Sequence, residues 1–406
     1  MKSYLYKVLL LSGAFATVGS SFSLYDAAPM VGLPESYDIK YSSELRLGYD
    51  SNVNWSSRHE DASPYVSASV GARYADMESV NKLSYNVRLG FTHYTGLEER
   101  SSFAETRADC MLSASMVYAF DSANTLSSSL NATYSPQPDY ADGYSPAYCY
   151  GDMLALSYVN VYSHAIDSRW SLNGTLAFRL ITYSESEEQD DNRYYLEGGV
   201  GAQYRESSIM TYKTNLSYTR ELRDKGLNSD RYVASVGFQR ALDPFSSCGA
   251  DVGIAARVYS LKTIWSPCGK ISYRRKLTEG LNVQAYASYA DENAGSYMGY
   301  GSGSQSYLEN RTVRFGTIVQ YVLSPDVTYS FGVSYFITER SSSTSVASAG
   351  VTSDQYEISA GMSYAFTNNL RGSLRAAYSS ISREYEGRSD NSADRWNFSA
   401  GVTYTF

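Results

Sequence analysis

Arg395-Trp396-Asn397-Phe398-Ser399-Ala400-Gly401-Val402-Thr403-Tyr404-Thr405-Phe406 alternates without a break. One parity (Trp396, Phe398, Ala400, Val402, Tyr404, Phe406) is apolar. The other (Arg395, Asn397, Ser399, Gly401, Thr403, Thr405) is polar or small. A period of two is that of a β-strand with one apolar and one polar face. The apolar face carries aromatic rings at both ends, where a membrane-crossing strand meets its two water interfaces. The last strand of a soluble β-sandwich would show the same alternation, so the rest of the chain has to arbitrate.

Working back along the chain, the same unit recurs. Near Lys40 to Asn52, Leu45, Leu47 and Tyr49 share one face, with Glu44, Arg46, Gly48 and Asp50 on the other. After it come an aromatic strand end, a tight turn and a new alternating strand, repeatedly. The turns are Met77–Asn81, Asp121–Asn124, Ser163–Ser168, Arg205–Ile209, Asp243–Pro244, Thr278–Gly280, Ser324–Asp326 and Thr367–Asn369. Their spacing of about 35 to 47 residues is that of one barrel hairpin plus one outer loop. Longer polar segments lie between them, at 53–63, 96–102, 135–148, 184–192, 222–230, 260–267, 292–306, 340–353 and 385–393. The prolines fall outside the strand interiors, where a hydrogen-bonded ladder tolerates them.

The fold expected is all-β: a single transmembrane antiparallel up-and-down β-barrel over 40–406, with about 18 strands, short periplasmic turns and longer outer loops. A count of about 16 follows instead if 40–76 is not a membrane hairpin. In lipid every strand N–H and C=O must pair within the protein, so closure is the all-strand solution. Residues 1–23 read as a signal peptide: Lys2 and Lys7, an apolar run from Val8 to Val18, then small Ser21 and Ser23, with Ala27 or Ala28 as other cleavage positions. Residues 24–39, with Pro29, Gly32 and Pro34, read as a periplasmic lead-in.

Composition agrees. Tyr is very abundant, 40 of 406 residues, which suits two interfacial girdles. No run of about 18 apolar residues exists to form a membrane helix. The formal net charge of −8 argues against nucleic acid as a partner.

The parity opposite the apolar face carries Arg46, Arg73, Arg88, Arg179, Arg193, Lys213, Arg257, Lys270, Arg274, Arg314, Arg371, Arg375 and Arg395. Against them stand Glu44, Asp50, Asp109, Glu197, Asp251 and Glu357. A polar interior in a wide barrel is a water-filled channel. A basic lining favours anions, and Arg46, Arg88, Arg179, Lys213, Arg314, Arg371 and Arg375 are the pore-lining candidates. The alternative is that these cations pair with carboxylates across strands and fill the wall. The outer segments, notably Glu185, Glu187, Glu188, Asp190 and Asp191, are acidic.

Cys110, Cys149, Cys248 and Cys268 show no C-x-x-C or Cys/His metal spacing. Cys248 and Cys268 are expected at opposite ends of one hairpin, and free thiols are preferred to disulfides. His93, at a strand end, is the one candidate base; Ser101 and Ser102 nearby carry no nucleophile motif, so neither catalysis nor a cofactor is expected.

Two resemblances follow from these residues. Ser399, Gly401, Tyr404 and Phe406 resemble the C-terminal signal by which bacterial outer-membrane barrels engage their assembly machinery. Gly48-Tyr49-Asp50-Ser51-Asn52 is similar to a signature of the β-barrel porin 2 family. That resemblance implies a porin in the outer membrane, among its lipids, and names no substrate. Two function classes stay open: a passive channel for small hydrophilic solutes, or a structural or partner-binding barrel such as an adhesin or a polysaccharide-export component. Oligomeric state is not legible.

Overall fold

The computed structural model describes residues 39–53, 62–76, 81–95, 105–135, 153–183, 192–224, 227–260, 262–291, 307–342, 351–385 and 391–406. The segments 1–23 and 24–38 lie outside them. Eighteen strands account for most of the described chain. The first six are β1 (Lys40–Asp50), β2 (Ser63–Asp76), β3 (Lys82–Tyr94), β4 (Thr106–Ala119), β5 (Asn124–Ser135) and β6 (Met153–Ala165). There follow β7 (Trp170–Tyr183), β8 (Arg193–Arg205), β9 (Met210–Arg223), β10 (Ser229–Asp243), β11 (Ser246–Val258) and β12 (Thr263–Lys276). The last are β13 (Leu281–Asp291), β14 (Tyr307–Ser324), β15 (Val327–Ser342), β16 (Val351–Ala365), β17 (Leu370–Tyr385) and β18 (Asn391–Thr405). Each pairs antiparallel with its sequence neighbours, and β18 pairs with β1. The sheet is therefore a closed up-and-down barrel of 18 strands, and the 40–76 hairpin belongs to it, which removes the 16-strand alternative.

Exposure separates the two faces. Leu45, Leu89, Leu176, Val200, Leu216, Val252, Phe331 and Val402 are large apolar side chains left open on one parity. Asp50, Tyr65, Arg107, Arg193, Glu221, Arg257, Phe336 and Arg395 are buried on the other. Side chains inside a closed cylinder converge and those outside diverge, so the apolar parity faces out. An outward belt of this kind needs a hydrocarbon environment. Aromatic rings gather at its edges, as in the stacks Trp170–Tyr204, Tyr321–Tyr329 and Tyr378–Trp396.

The short turns are built from one polar residue each. Asp121 Oδ1 accepts from the N–H groups of Ala123 and Asn124 at 2.7 and 2.8 Å. Asp167 Oδ1 accepts from Arg169 and Trp170 at 2.6 and 2.7 Å. Thr367 Oγ1 accepts from Asn369 and Leu370 at 3.2 and 3.0 Å. Such side chains substitute for the missing ladder partner where the chain reverses. The Asn124 amide, with the Ala123 N–H, holds the Asp121 carboxyl below its ordinary range; the Trp170 N–H does the same for Asp167.

Several boundaries differ from expectation. β6 runs on to Ala165, so its turn is at 166–169 rather than Ser163–Ser168. The segments expected as loops at 222–230 and 260–267 shrink to 224–228 and 259–262. Ser229 and Asp230 are polar, so alternation in hydrophobicity fades there before the ladder does. In β12, Ile264 and Trp265 are adjacent and both apolar, and Pro267, expected outside the strands, is a ladder residue opposite Ile254, so the alternation is hidden. Cys268 consequently lies inside β12 instead of opening it. It faces inward, opposite Gly253, whereas Cys248 faces outward opposite Tyr273. Cys110, Cys248 and Cys268 are free; Cys149 lies outside the described residues.

Two outcomes are expected. In the folded Cys149→Ser protein, a charged, membrane-impermeant thiosulfonate modifies Cys268 and spares Cys110 and Cys248 until the barrel is unfolded. Mass spectrometry of the labelled peptides reads this, and labelling of Cys110 at the rate of Cys268 would reverse the assignment of faces. Second, a carboxyl whose pKa is lower in the folded state stabilises that state above its unfolded pKa. The contribution is lost as pH falls through the folded value. The Ala123 and Trp170 amides therefore lose exchange protection, relative to intrinsic rates, as pH drops below the ordinary Asp range near about 4. Asp121→Ala abolishes that pH dependence at the first turn.

Candidate functional site

The inner wall is the first candidate. Arg46, Arg88, Arg179, Lys213, Arg314, Arg371 and Arg375 all lie on the inward parity of their strands. Four of them meet carboxylates. Arg46 pairs with Glu44 on its own strand. Arg88 Nη2 is 2.9 Å from Asp109 Oδ2, Lys213 Nζ is 2.8 Å from Asp251 Oδ1, and Arg179 stands 4.0 Å from Glu197. Arg314 lies over the Phe336 ring, 5.2 Å from its centroid. Arg371 makes no ion pair among the described residues. The Lys213–Asp251 bridge joins β9 to β11 across β10. It crosses at Gly237, which stands opposite both residues; a Cβ there would overlap the Asp251 carboxylate. Glycine at that position is what lets the bridge cross a strand.

Burial varies with height along the wall. Near the ends of strands joined by the longer connections, inward residues are buried around the circumference: Arg107, Arg193, Tyr195, Arg257, Thr312, Phe336, Ile381 and Arg395. Lower on the wall the side chains of Arg88, Lys213 and Arg179 keep 40, 35 and 30 % of their exposure. Many inward side chains are thus buried near the outer strand ends, while Arg88, Lys213 and Arg179 keep a third or so of their exposure.

The second candidate is the seam where β1 meets β18, and it contains the Gly48–Asn52 motif. Asp50 and Asn52 are wholly buried at 0 % exposure. Asp50 accepts from Arg395, with Nε at 2.9 Å from each carboxylate oxygen and Nη2 also engaged. Asn397 Nδ2 reaches Asp50 Oδ2 at 3.3 Å, and Asn52 N–H donates to Oδ1 at 3.1 Å. Asn52 Nδ2 donates to the Asp394 carbonyl at 2.9 Å. Ser51 N–H donates to Trp396 O at 2.9 Å, and Trp396 N–H returns to Ser51 Oγ at 2.8 Å. Tyr65 lies opposite Gly48 in β2, its ring occupying the space a Cβ would need, and its hydroxyl donates to Asn397 Oδ1 at 3.1 Å. Tyr94 packs on Tyr65 with centroids 5.5 Å apart, Val53 joins them, and Arg107 lies over Tyr94. Tyr49 faces outward at 44 % exposure; the other motif residues have structural partners here, and Asp50 and Asn52 form a clasp across the closing seam.

A third cluster escaped the sequence reading. Glu221, near the end of β9, is buried between Arg223 and Arg257. Arg223 Nε donates at 2.6 Å, Arg257 Nη1 at 3.3 Å and Ser229 Oγ at 3.1 Å. Glu221 and Arg223 share the parity of Lys213; Arg223 lay beyond the strand end expected at 221, and parity alone does not show that Glu221 meets Arg257. Tyr65, Tyr94 and Arg107 carried no comparable signal, because their role depends on which strands become neighbours. Of the remaining candidates, His93 faces outward and bonds Thr106 Oγ1 at 2.8 Å, while Ser101, Ser102 and the acidic 184–191 segment lie outside the described residues. Ser399, Gly401 and Tyr404 stand in regular register with β17 and β1, and the Phe406 N–H donates to Tyr41 O at 2.8 Å.

No protein-family model matches the chain, and no curated protein matches it. Among solved structures, OccK1 (OpdK) of Pseudomonas aeruginosa aligns over 91 % of this chain and 99 % of its own, at 10 % identity and a TM-score of 0.47. OccAB4 of Acinetobacter baumannii covers 92 % and 99 %, at 9 % identity and 0.45. The siderophore receptor PirA of P. aeruginosa covers 92 % and 81 %, at 9 % identity and 0.44. At that distance neither function nor family carries across.

Removing one partner of a buried charge pair strands the other, at about 3–5 kcal/mol. Asp50→Ala and Arg395→Ala are each expected to lower unfolding stability by that order, with the double variant much less than additive. Urea titration of the refolded barrel, followed by heat-modifiable migration in SDS gels, measures it. Additive losses would show that the two side chains act independently.

Proposed function

We propose that this protein is an outer-membrane channel for passive diffusion of small hydrophilic solutes, with a weak anion preference. The observation that carries the reading is the pairing of an apolar outward belt with a polar, partly open inner wall in a closed 18-stranded barrel. A barrel of that size encloses an aqueous path. The preference rests on cations outnumbering carboxylates on the inner wall. It is weak because Arg46, Arg88, Arg179 and Lys213 are each compensated, which leaves Arg371 as the principal candidate for an uncompensated charge.

The proposal includes export through a cleaved signal peptide at 1–23, a lead-in at 24–39, and recognition of Ser399, Gly401, Tyr404 and Phe406 by the barrel-assembly machinery. Kinship with the β-barrel porin 2 family rests on Gly48, Tyr49, Asp50, Ser51 and Asn52 alone. The burial of inward side chains near the outer strand ends favours one second reading: a partner-gated or structural barrel, closed at rest.

Single-channel recording of the refolded mature chain in a planar bilayer under a salt gradient separates the two. Discrete steps of constant size with a reversal potential on the anion side are expected. Arg371→Glu together with Arg375→Glu shifts that potential toward cations while leaving step size within about twofold, since wall charge tunes selectivity. A folded, heat-modifiable protein without conductance would favour the closed barrel, and cation selectivity of the unmutated chain would end the anion reading.

A further inference from the structure

The outward face carries one polar group out of place. Asn160 points outward from the middle of β6, between Tyr158 and Tyr162 on the same face. Other outward amide or ionisable side chains, such as Arg220, Asp230, Arg311, Asp354 and Asp394, sit near strand ends, at the depth of the interfaces. Ser128, directly opposite on β5, donates its hydroxyl to Asn160 Oδ1 at 2.7 Å. That bond satisfies the amide oxygen in part. The Nδ2 group has no partner among the described residues, and acyl chains offer no acceptor. A stranded donor in hydrocarbon is expensive. Leu176, opposite Asn160 on β7, stands out at 57 % exposure; diagonally on β7 Gly174, and beyond Leu176 on β8 Gly198, face outward with no atom near the space a Cβ would fill.

We propose that Asn160 meets Asn160 of a second copy of this chain across a two-fold axis along the membrane normal, with the β5–β8 walls in contact. Two features select a second copy over any other occupant. Insertion fixes every copy at one depth and in one orientation, so rotation about the normal brings identical residues together at identical height. A carboxamide is also self-complementary: the N–H of each copy finds the C=O of the other, and the oxygen keeps a lone pair beyond the one used by Ser128. A two-fold contact is by nature one patch meeting itself. The inference rests on the fold and not on the channel reading.

The test uses the full chain in outer membranes, with Cys110, Cys149, Cys248 and Cys268 replaced by Ser. Oxidation of Asn160→Cys is expected to give a disulfide dimer. Val333→Cys, outward on the far side of the barrel, serves as the control and is expected to stay monomeric. In the unsubstituted background, Asn160→Leu should remain folded by heat-modifiable migration yet dimerise about 3- to 30-fold more weakly in nanodiscs, the range expected for a hydrogen bond within the membrane. Equal cross-linking at residues 160 and 333, a dimer constant unmoved by Asn160→Leu, or a cross-linked adduct of foreign mass would each overturn the proposal.

Discussion

The constraint on which everything else depends is the lack of any hydrogen-bond partner in the surrounding lipid. A strand placed there must give every N–H and C=O to a neighbouring strand. A sheet can meet that demand only by returning to its first strand. The ladder from Ser42–Thr405 to Asp50–Asn397 is that return, and the barrel exists as a unit only when this last pairing forms. Its two edges come from opposite ends of the chain, so closing it orders the largest loop in the molecule. That cost explains why the seam carries more than backbone bonds. Asp50 and Arg395 supply a charge pair buried at 0 and 4 % exposure, Ser51 and Asn52 tie the flanking carbonyls and amides, and Asn397 links Asp50 to Tyr65. A one-residue slip of β18 would turn Arg395 into lipid and Trp396 into the lumen. The clasp thus fixes register as well as closure.

The seam also shows how a polar wall can be rigid. Gly48 is small so that Tyr65 can lie flat across it and reach Asn397; Gly237 is small so that Lys213 can reach Asp251. In both places a missing side chain on one strand creates a contact between its two neighbours. Inside a cylinder, where side chains crowd toward the axis, such gaps let large residues lie along the wall instead of across the lumen. The ion pairs that result hold the wall's cations to its surface, which limits how much fixed charge the lumen presents to a passing ion.

Much of this was legible in the sequence because the period-two signal is local. Trp396 to Phe406 declares its two faces without reference to any other strand, and Asp121, Asp167 and Thr367 declare their turns in the same way. The inward placement of Arg46 through Arg395 followed from parity alone. What could not be read is what depends on pairing. Nothing near Gly48 in the chain indicates that Tyr65 will cover it, and nothing near Glu221 indicates Arg257. The outer strand end was drawn too short at 222 for a related reason. Beyond the hydrocarbon the outward residues need not be apolar, as Arg220 and Asp230 illustrate, so hydrophobic alternation stops while the backbone ladder continues.

That distinction bears on how the motif at Gly48–Asn52 should be understood. Read as a sequence, Asp50 and Asn52 stand where a strand becomes an outer loop, a position suited to touching solute. In the structure neither has any surface left to touch it with. Their side chains are consumed by Arg395, Asp394 and the local backbone, and the exchange joins the first strand to the last. A short polar signature at the mouth of a barrel can therefore mark closure rather than transport. Under the proposed channel reading, residues that select among solutes belong on the wall below, where Arg88, Arg179 and Lys213 retain a third or so of their exposure and where compensation by a carboxylate, strand by strand, would decide how much charge a solute meets.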